Sequence, residues 1–250
     1  MKTLTKNIIL FALSLVCVCG AAFAGYTIDE EKALGMQADE EFMKEYKLST
    51  DKAAAAELEN IGRKIAANVS RKEINYTFKL ITADQYNAFA IPGGYVYFTE
   101  KLWNAMTPAE RAGVIGHEIT HCDKRHGIKA YEKQQRQALL FGIAGAVISG
   151  GKYSNAANIA HQLLTLKYSR ANEEEADKGG TDLCIAAGLD SASVYRSMLR
   201  LEKIANSSGK TSVNFTIIST HPATKDRVKY LKTYLEGKGI TVPDIEAEYK

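Results

Sequence analysis

Cysteine and excess charge are both scarce in this sequence. Two of the four cysteines, Cys17 and Cys19, lie close to the amino terminus, and the other two are Cys122 and Cys184. None belongs to a C-x-x-C pair, which argues against a thioredoxin-like redox motif and against a cysteine zinc knuckle. The spacing leaves open whether Cys122 and Cys184 form a disulfide, because pairing depends on how closely the fold brings them together.

The sequence also lacks a large excess of either positive or negative charge. The 250 residues include 32 basic and 29 acidic side chains, and the first 24 residues hold two of the basic ones and no acidic one. Residues 25–250 therefore carry 30 basic against 29 acidic side chains, which gives no basic footprint for nucleic acid. Internal repeats and long linkers are also lacking, and the length suits a single domain.

The first 24 residues have the pattern of a secretory signal peptide. A positive start is followed by an apolar run at residues 8–18 and by Ala22-Phe23-Ala24, which offers small residues at an A-x-A cleavage site. The run is too short to span a bilayer. We expect export and cleavage after Ala24. The alternative is lipoprotein processing at Cys17 or Cys19, which would leave a lipid anchor.

Residues 138–148 form a second apolar run, of about 11 residues, which is again too short to span a membrane. Burial in the core, or beneath a mobile loop beside a cleft, is one interpretation of this run. Contact with a membrane surface is the other.

Periodicity predicts an α+β domain that is mostly helical and has a small sheet in its first half. Tyr76, Phe78 and Leu80 alternate with polar residues, which predicts a strand at residues 74–81, and Pro92-Gly93-Gly94 predicts a turn between two further strands at 88–90 and 95–99. The predicted helices are residues 28–46, 53–69, 108–125, 129–148, 156–168, 172–187, 191–205 and 223–236.

Thr107-Pro108-Ala109-Glu110 marks the start of one of these helices. Thr107 can cap the free amides, proline suits the first helical position, and Glu110 completes a capping box. The helix is expected to continue to about Arg125. It therefore contains the sequence His117-Glu118-Ile119-Thr120-His121.

Histidines four residues apart share one face of a helix, so His117 and His121 can bind a single zinc ion. Glu118 can then take a proton from a water that zinc activates and pass it to a leaving amine. A chance match and a metal-free pair of surface histidines are the alternatives. The strong helix start and the apolar Val114 and Ile115 argue against both.

A catalytic zinc site needs a third protein ligand. Residues 173–175 are adjacent acids, of which only one can point at the ion, and Glu173 shares a helix face with Asp177. That spacing suits Glu173 as a ligand and Asp177 as the acceptor for a ligand imidazole. A solvated helix terminus is the alternative for Glu173, and we prefer it for Glu174 and Glu175.

Two further histidines have no predicted role at the metal. His126 stands nine residues after His117, which in a straight helix places it on a different side from the ligand pair. We therefore interpret His126 as structural. His161 is expected to lie on a helix surface or in the core.

Four ordered motifs resemble the M48 family of zinc metallopeptidases. They are Gly116-His117-Glu118-x-x-His121, then Arg125-His126, then Ser169-Arg170-x-x-Glu173-x-x-Ala176-Asp177, then His221-Pro222 with Arg227. The likeness covers roughly residues 41–235 and is greatest to small exported bacterial members. It implies a zincin-like metallopeptidase domain over residues 25–250, mostly helical, with the small sheet before the active helix.

The resemblance also implies roles for individual residues. Glu173 becomes the third ligand of one zinc ion per chain, and Asp177 orients a ligand histidine. His221 becomes either an inhibitory fourth ligand or an oxyanion stabiliser; a helix cap before Pro222 is its alternative. Arg227 pairs with buried acids, unless it is a surface charge. The edge strand along which an extended peptide would lie consists of Asn87, Ala88, Phe89 and Ala90.

These expectations favour a zinc endopeptidase that acts on unfolded or misassembled polypeptides in a bacterial periplasm. A peripheral contact with a membrane or with outer-membrane assembly is compatible with the resemblance. A zinc-regulated chaperone that uses the same groove with little turnover is the alternative, motivated by the fourth-ligand role of His221. A zinc hydrolase of small molecules is disfavoured by the expected edge strand.

Overall fold

A computed structural model of the protein describes residues 25–140, 156–207, 217, 220, 221, 225–242 and 249. The expected signal peptide lies outside these residues. So does most of the apolar run at 138–148, of which only 140 and its two predecessors are described, as the end of a helix. In the described part of the chain, no helix is both long enough and apolar enough to cross a membrane.

Helices dominate the described structure, as expected for a mostly helical α+β domain. They are α1 (Ile28–Glu45), α2 (Lys52–Ala66), α3 (Glu100–Asn104), α4 (Pro108–Asp123), α5 (His126–Leu140), α6 (Ala156–Thr165), α7 (Arg170–Ala186), α8 (Ser193–Ser207) and α9 (Lys225–Gly237). The short α3 was not expected from the sequence. At five residues, it is too short for a hydrophobic period to show.

The sheet has four strands in the order β1-β2-β4-β3, namely β1 (Lys47–Leu48), β2 (Thr77–Thr82), β3 (Ala88–Ile91) and β4 (Tyr95–Thr99). β2 and β4 run parallel, and the other two pairs are antiparallel. The turn between β3 and β4 places Gly93 and Gly94 at φ values of 83° and 92°, which favour glycine. Because β3 is the last strand in the order β1-β2-β4-β3, it lies at one edge of the sheet, as predicted.

The two faces of the sheet support separate hydrophobic cores. On β4, Val96 and Phe98 point into a core shared with α2, α4, α7, α8 and α9, whereas Tyr97 points into a core shared with α1, α5 and α6. On the second face, Phe89 stacks on Tyr97 with ring centroids 4.7 Å apart. The alternation of side chains along β4 thus fixes the sheet between two helical layers.

Helix α4 begins as the sequence predicts and ends earlier. Thr107 and Glu110 form the expected capping box. The helix ends at Asp123, and Arg125 adopts a left-handed conformation with φ of 60° before α5 begins at His126. The helix therefore ends two residues before the expected position at about Arg125, which has itself left the helical conformation.

Cys122 and Cys184 are both buried and both free. Each thiol instead contacts a backbone carbonyl oxygen, that of Ile91 for Cys122 and that of Ala112 for Cys184. Burial raises the pKa of Cys184 to about 12. These thiols are therefore packed as small apolar groups.

Helices α4 and α7 approach each other closely through glycines. A Cβ atom at Gly180 would lie 2.8 Å from the carbonyl carbon of Gly116 and 2.8 Å from the amide nitrogen of His117. A Cβ atom at Gly179 would lie 2.6 Å from the Thr120 side chain. Any larger residue at these positions forces the two helices apart.

Replacing Gly180 with alanine should therefore lower the free energy of unfolding by about 2–3 kcal/mol or more, because backbone atoms rather than flexible side chains oppose the new methyl group. Gly237→Ala is the matched control, since nothing lies within 4 Å of an added Cβ there. Urea denaturation measures both variants. Equal stability of the two would show that the α4–α7 contact is not as tight as described.

Candidate metal centre

Helix α4 carries the H-E-x-x-H sequence into the interior of the protein. His117, Glu118 and His121 are each at most 3% exposed. Because His117 and His121 lie one helical turn apart, both present Nε2 to the same point, and the two nitrogens are 3.0 Å apart. The predicted pairing of the two histidines on one face is confirmed.

Helix α7 brings the predicted acids to that point. Ser169 caps the helix, and Glu173 follows one turn later with its side chain buried. The carboxylate oxygens of Glu173 lie 3.7 Å from Nε2 of His117 and 3.6 Å from Nε2 of His121. Glu174 instead pairs with Lys178 at the surface, as expected for the solvated alternative.

His221 completes the cluster from the far end of the chain. Its Nδ1 lies 2.9 Å from Oε1 of Glu173 and 3.2 Å from Nε2 of His117. The side chain is 5% exposed, so it points inward rather than capping a surface helix. The structure therefore places His221 against both predicted ligands.

Four side chains thus converge: His117, His121, Glu173 and His221, with one donor atom of each within 4.8 Å of all the others. Tetrahedral zinc ligands of this kind lie about 3.3 Å from one another, and the separations just given bracket that value. Beside the cluster, Oε1 of Glu118 is buried without a hydrogen-bond partner among the described residues. Imidazole and carboxylate donors suit a divalent metal such as zinc.

The electrostatics of the cluster are those of coupled buried groups. Arg227 pairs with the buried carboxylates of Glu173 and Asp177, and Oε1 of the buried Glu118 lies 3.7 Å from Nε2 of His221. Burial raises the pKa of Glu118, and burial together with the neighbouring histidines lowers the pKa of His121 well below its usual value. A neutral His121 is the form that binds metal.

Asp177 occupies the expected place behind His117. Its Oδ1 lies 2.9 Å from Nδ1 of His117, and Arg227 donates to both of its carboxylate oxygens at 2.6 and 2.8 Å. Burial opposes ionisation, but Arg227 and the hydrogen bonds outweigh it and hold the pKa of Asp177 well below its usual range. Arg227 also lies 2.8 Å from Glu173, which makes it a buried partner of both acids.

Tyr230, which was not predicted to belong to the site, donates a hydrogen bond from its hydroxyl to Asp177. It stands three residues after Arg227 on α9, so the two side chains share a face of that helix. A tyrosine spaced this way from the arginine was the only signal in the sequence, and it has no specificity by itself.

His126 lies closer to the metal ligands than a straight helix allows. Arg125 interrupts the helix with its left-handed conformation, and Nδ1 of His126 lies 3.0 Å from Nδ1 of His121. Its Nε2 lies 3.1 Å from Oε2 of Glu175, so Glu175 is half exposed but not merely solvated. His126 therefore contacts His121 on the side that faces away from the cluster, and it is not one of the four converging side chains. His161 is exposed on α6, as one of its two interpretations held.

The edge strand β3 passes directly beside the cluster, and its outer side is covered. Asn87, Phe89 and Ala90 line a cavity with Glu118 and His221, of only about 20 Å³. The opposite wall of the cavity consists of Leu163, Leu164, Leu166, Tyr168 and Thr220. In the described part of the structure, this cavity has the size of about one water molecule and cannot itself hold a peptide.

The comparisons with known proteins agree with this geometry. The sequence profile described as Peptidase family M48 matches residues 52–235, well over half of the chain. The chain belongs to peptidase family M48. By that membership it is a metallopeptidase, and the matched residues extend from α2 to α9.

Three similar proteins show how much of each chain the likeness covers. Metalloprotease LoiP of Escherichia coli is 26% identical over 225 residues, which are 88% of this chain and 86% of LoiP. The beta-barrel assembly-enhancing protease of Yersinia pestis is 28% identical over 218 residues, 83% of this chain but 44% of that protein. A putative beta-barrel assembly-enhancing protease of Vibrio cholerae is 29% identical over 181 residues, 68% of this chain and 37% of that protein.

Removing the guanidinium of Arg227 should destabilise this M48 domain strongly. In Arg227→Met, Asp177 and Glu173 remain buried without their counter-charge, which typically costs about 3–5 kcal/mol. The measurement is urea denaturation in excess EDTA at pH 7. Arg63→Met is the control, because its ion pair with Glu59 is exposed and contributes about 0.3–0.5 kcal/mol. Equal losses in the two variants would contradict the buried network.

Proposed function

We propose that this M48 peptidase is a zinc-dependent endopeptidase that hydrolyses peptide bonds in unfolded or misassembled exported proteins. The observation that carries the proposal is the convergence of His117, His121 and Glu173 beside Glu118, which is buried and lacks a hydrogen-bond partner at Oε1. This is the donor set of a catalytic zinc site together with a general base.

The proposed ligands are His117, His121 and Glu173, with one zinc ion per chain. When bound, zinc would lower the pKa of a water molecule and polarise the scissile carbonyl. Glu118 is the proposed catalytic base. Burial raises its pKa, which favours a carboxyl group that can first accept a proton and then return it to the leaving amine.

The proposed substrate path follows β3, formed by Ala88–Ile91 with Asn87 preceding it. An edge strand offers backbone hydrogen bonds to an extended peptide of any sequence. The buried Oδ1 of Asn87 has no partner in the described structure, so it is a further acceptor available in this cleft. Backbone recognition of this kind suits unfolded polypeptides, because most backbone groups of a folded chain are already hydrogen-bonded to other parts of that chain.

We further propose that His221 latches the site at rest. It contacts Glu173 and His117, and its Nε2 lies 3.7 Å from Oε1 of Glu118. As a fourth ligand it would take the position that a catalytic zinc ion keeps open for water and substrate. The small cavity beside β3 supports the same resting closure.

We propose a periplasmic location and a peripheral link to outer-membrane assembly. The apolar run at residues 8–18 before Ala22-Phe23-Ala24 supports export. Two relatives carry the name beta-barrel assembly-enhancing protease. A lipid-anchored form through Cys17 or Cys19 stays the alternative to cleavage after Ala24.

Glu118→Gln tests the catalytic proposal. The amide cannot accept a proton, so casein cleavage should fall by at least about a hundredfold while the zinc content stays at one ion per chain. Proteolysis of fluorescent casein and metal analysis measure these two quantities. Glu174→Gln is the matched control, because its carboxylate is about half exposed and pairs with Lys178 away from the cluster. Unchanged cleavage by Glu118→Gln would contradict the proposal.

His221→Ala tests the latch. Removing a fourth ligand should raise the rate of casein cleavage several-fold while three ligands still hold zinc. His161→Ala, which removes an exposed imidazole on α6, should leave the rate unchanged. A loss of activity in zinc-loaded His221→Ala would instead identify His221 as an oxyanion stabiliser. No cleavage by either the parent protein or His221→Ala would favour the zinc-regulated chaperone, for which the covered cleft is the structural argument.

A further inference from the structure

We propose that His126 and Glu175 are positioning residues that hold the imidazole of His121 in the orientation required for metal binding. The proposal rests on the proposed zinc site, of which His121 is one ligand. It concerns residues on the opposite side of His121 from the cluster, where the sequence indicated no contact.

The contact exists because of an unusual turn in the backbone. After α4 ends, the amide of Arg125 donates to the carbonyl of Cys122 at 3.0 Å, and Arg125 then adopts its φ of 60°. A non-glycine residue in this region carries a conformational cost. The guanidinium of Arg125 donates to the carbonyl of Tyr26 at 2.6 Å and lies 2.9 Å from the carboxylate of Glu31 in α1, so this residue is held from a second element. The next residue, His126, is buried and 2% exposed.

The hydrogen bonds through His126 can be written in only one order when His121 binds a metal. Nε2 of His121 faces the cluster, 3.0 Å from His117, so its Nδ1 must carry the ring proton. Nδ1 of His126, 3.0 Å away, must then accept that hydrogen bond. Nε2 of His126 is left as a donor to Oε2 of Glu175 at 3.1 Å. One chain of hydrogen bonds therefore runs from Glu175 through His126 to Nδ1 of the His121 imidazole, opposite its proposed ligand nitrogen Nε2.

The two ligand histidines are thus supported in different ways. His117 donates directly to Asp177, a fully buried carboxylate. His121 donates to an imidazole, and the carboxylate at the end of that chain is 53% exposed. Tyr168 packs against the face of the His121 ring, with centroids 4.1 Å apart and an angle of 32° between the ring planes. His126 therefore contacts the edge of the His121 ring, and Tyr168 contacts its face.

Mutation of a residue that hydrogen-bonds to a ligand histidine typically lowers the metal affinity by about 10- to 100-fold. His126→Leu removes the acceptor, so its zinc affinity should fall by about that factor. His126→Asn places an oxygen acceptor close to the position of Nδ1 and should recover most of the affinity. Glu175→Ala should have a smaller effect, about threefold or less, because water can replace an exposed carboxylate. Glu174→Ala, which removes the neighbouring acid, should have none.

The experiment uses the full chain and two readouts besides activity. Competition with a chromophoric chelator gives the zinc affinity of each variant, and the visible absorption of the cobalt-substituted protein reports ligand geometry at the metal. Urea denaturation in excess EDTA measures any general loss of stability. The proposal predicts a weakened affinity and a shifted cobalt spectrum in His126→Leu, with both restored in His126→Asn.

Unchanged zinc affinity in His126→Leu would overturn the inference while leaving the zinc site itself intact. Equal losses in His126→Leu and His126→Asn would overturn it as well, because the acceptor would then be irrelevant. Failure of the parent protein to bind zinc would instead overturn the proposed function on which the inference rests.

Discussion

The close approach of α4 and α7 is the constraint on which the rest of the site depends. The ligand histidines lie on one helix and the acids on the other, so the distance between the helix axes sets the size of the cluster. Glycine at 116 and 180 allows the backbones to touch. The first proposed ligand, His117, directly follows Gly116, so this close backbone contact and the proposed ligand are adjacent in the chain.

Burial of so many charged groups requires each to have a partner. Arg227 provides one for both Asp177 and Glu173, and it comes from α9, far from either acid in sequence. Oε1 of Glu118 and Oε2 of Glu173 have no hydrogen bond in the described structure, but Oε2 of Glu173 lies 2.8 Å from Arg227. Pairing of buried charges accounts for the arginine and its two acids. The unpaired Oε1 of Glu118 is instead accounted for by the catalytic role proposed for this residue.

Features that depend on neighbouring residues could be predicted from the sequence. The capping box at Thr107, the shared face of His117 and His121, and the glycine turn before β4 each follow from a few consecutive positions. Asp177 followed from its spacing to Glu173. The left-handed conformation of Arg125 did not, because nothing local in the sequence marks it. One contact of Arg125 is the carboxylate of Glu31, nearly a hundred residues earlier in the chain.

Contacts between distant segments were beyond the sequence for the same reason. The hydroxyl of Tyr230 reaches Asp177 only because α9 packs beside α7, and Tyr168 covers His121 only because the segment after α6 crosses the cleft. The edge position of β3 was expected from the resemblance. That its outer side would be covered was not, since a strand reveals its own pattern but not what lies against it.

The cover over β3 has a mechanical consequence. Leu163 and Tyr168 line the small cavity beside the strand, and Tyr168 immediately precedes Ser169, the cap of the helix that carries Glu173. The residues against β3 and the first turn of α7 therefore belong to one continuous segment. If β3 is the substrate strand, as proposed, a peptide that pairs with it would displace Tyr168, and that displacement would act on the segment that positions Glu173.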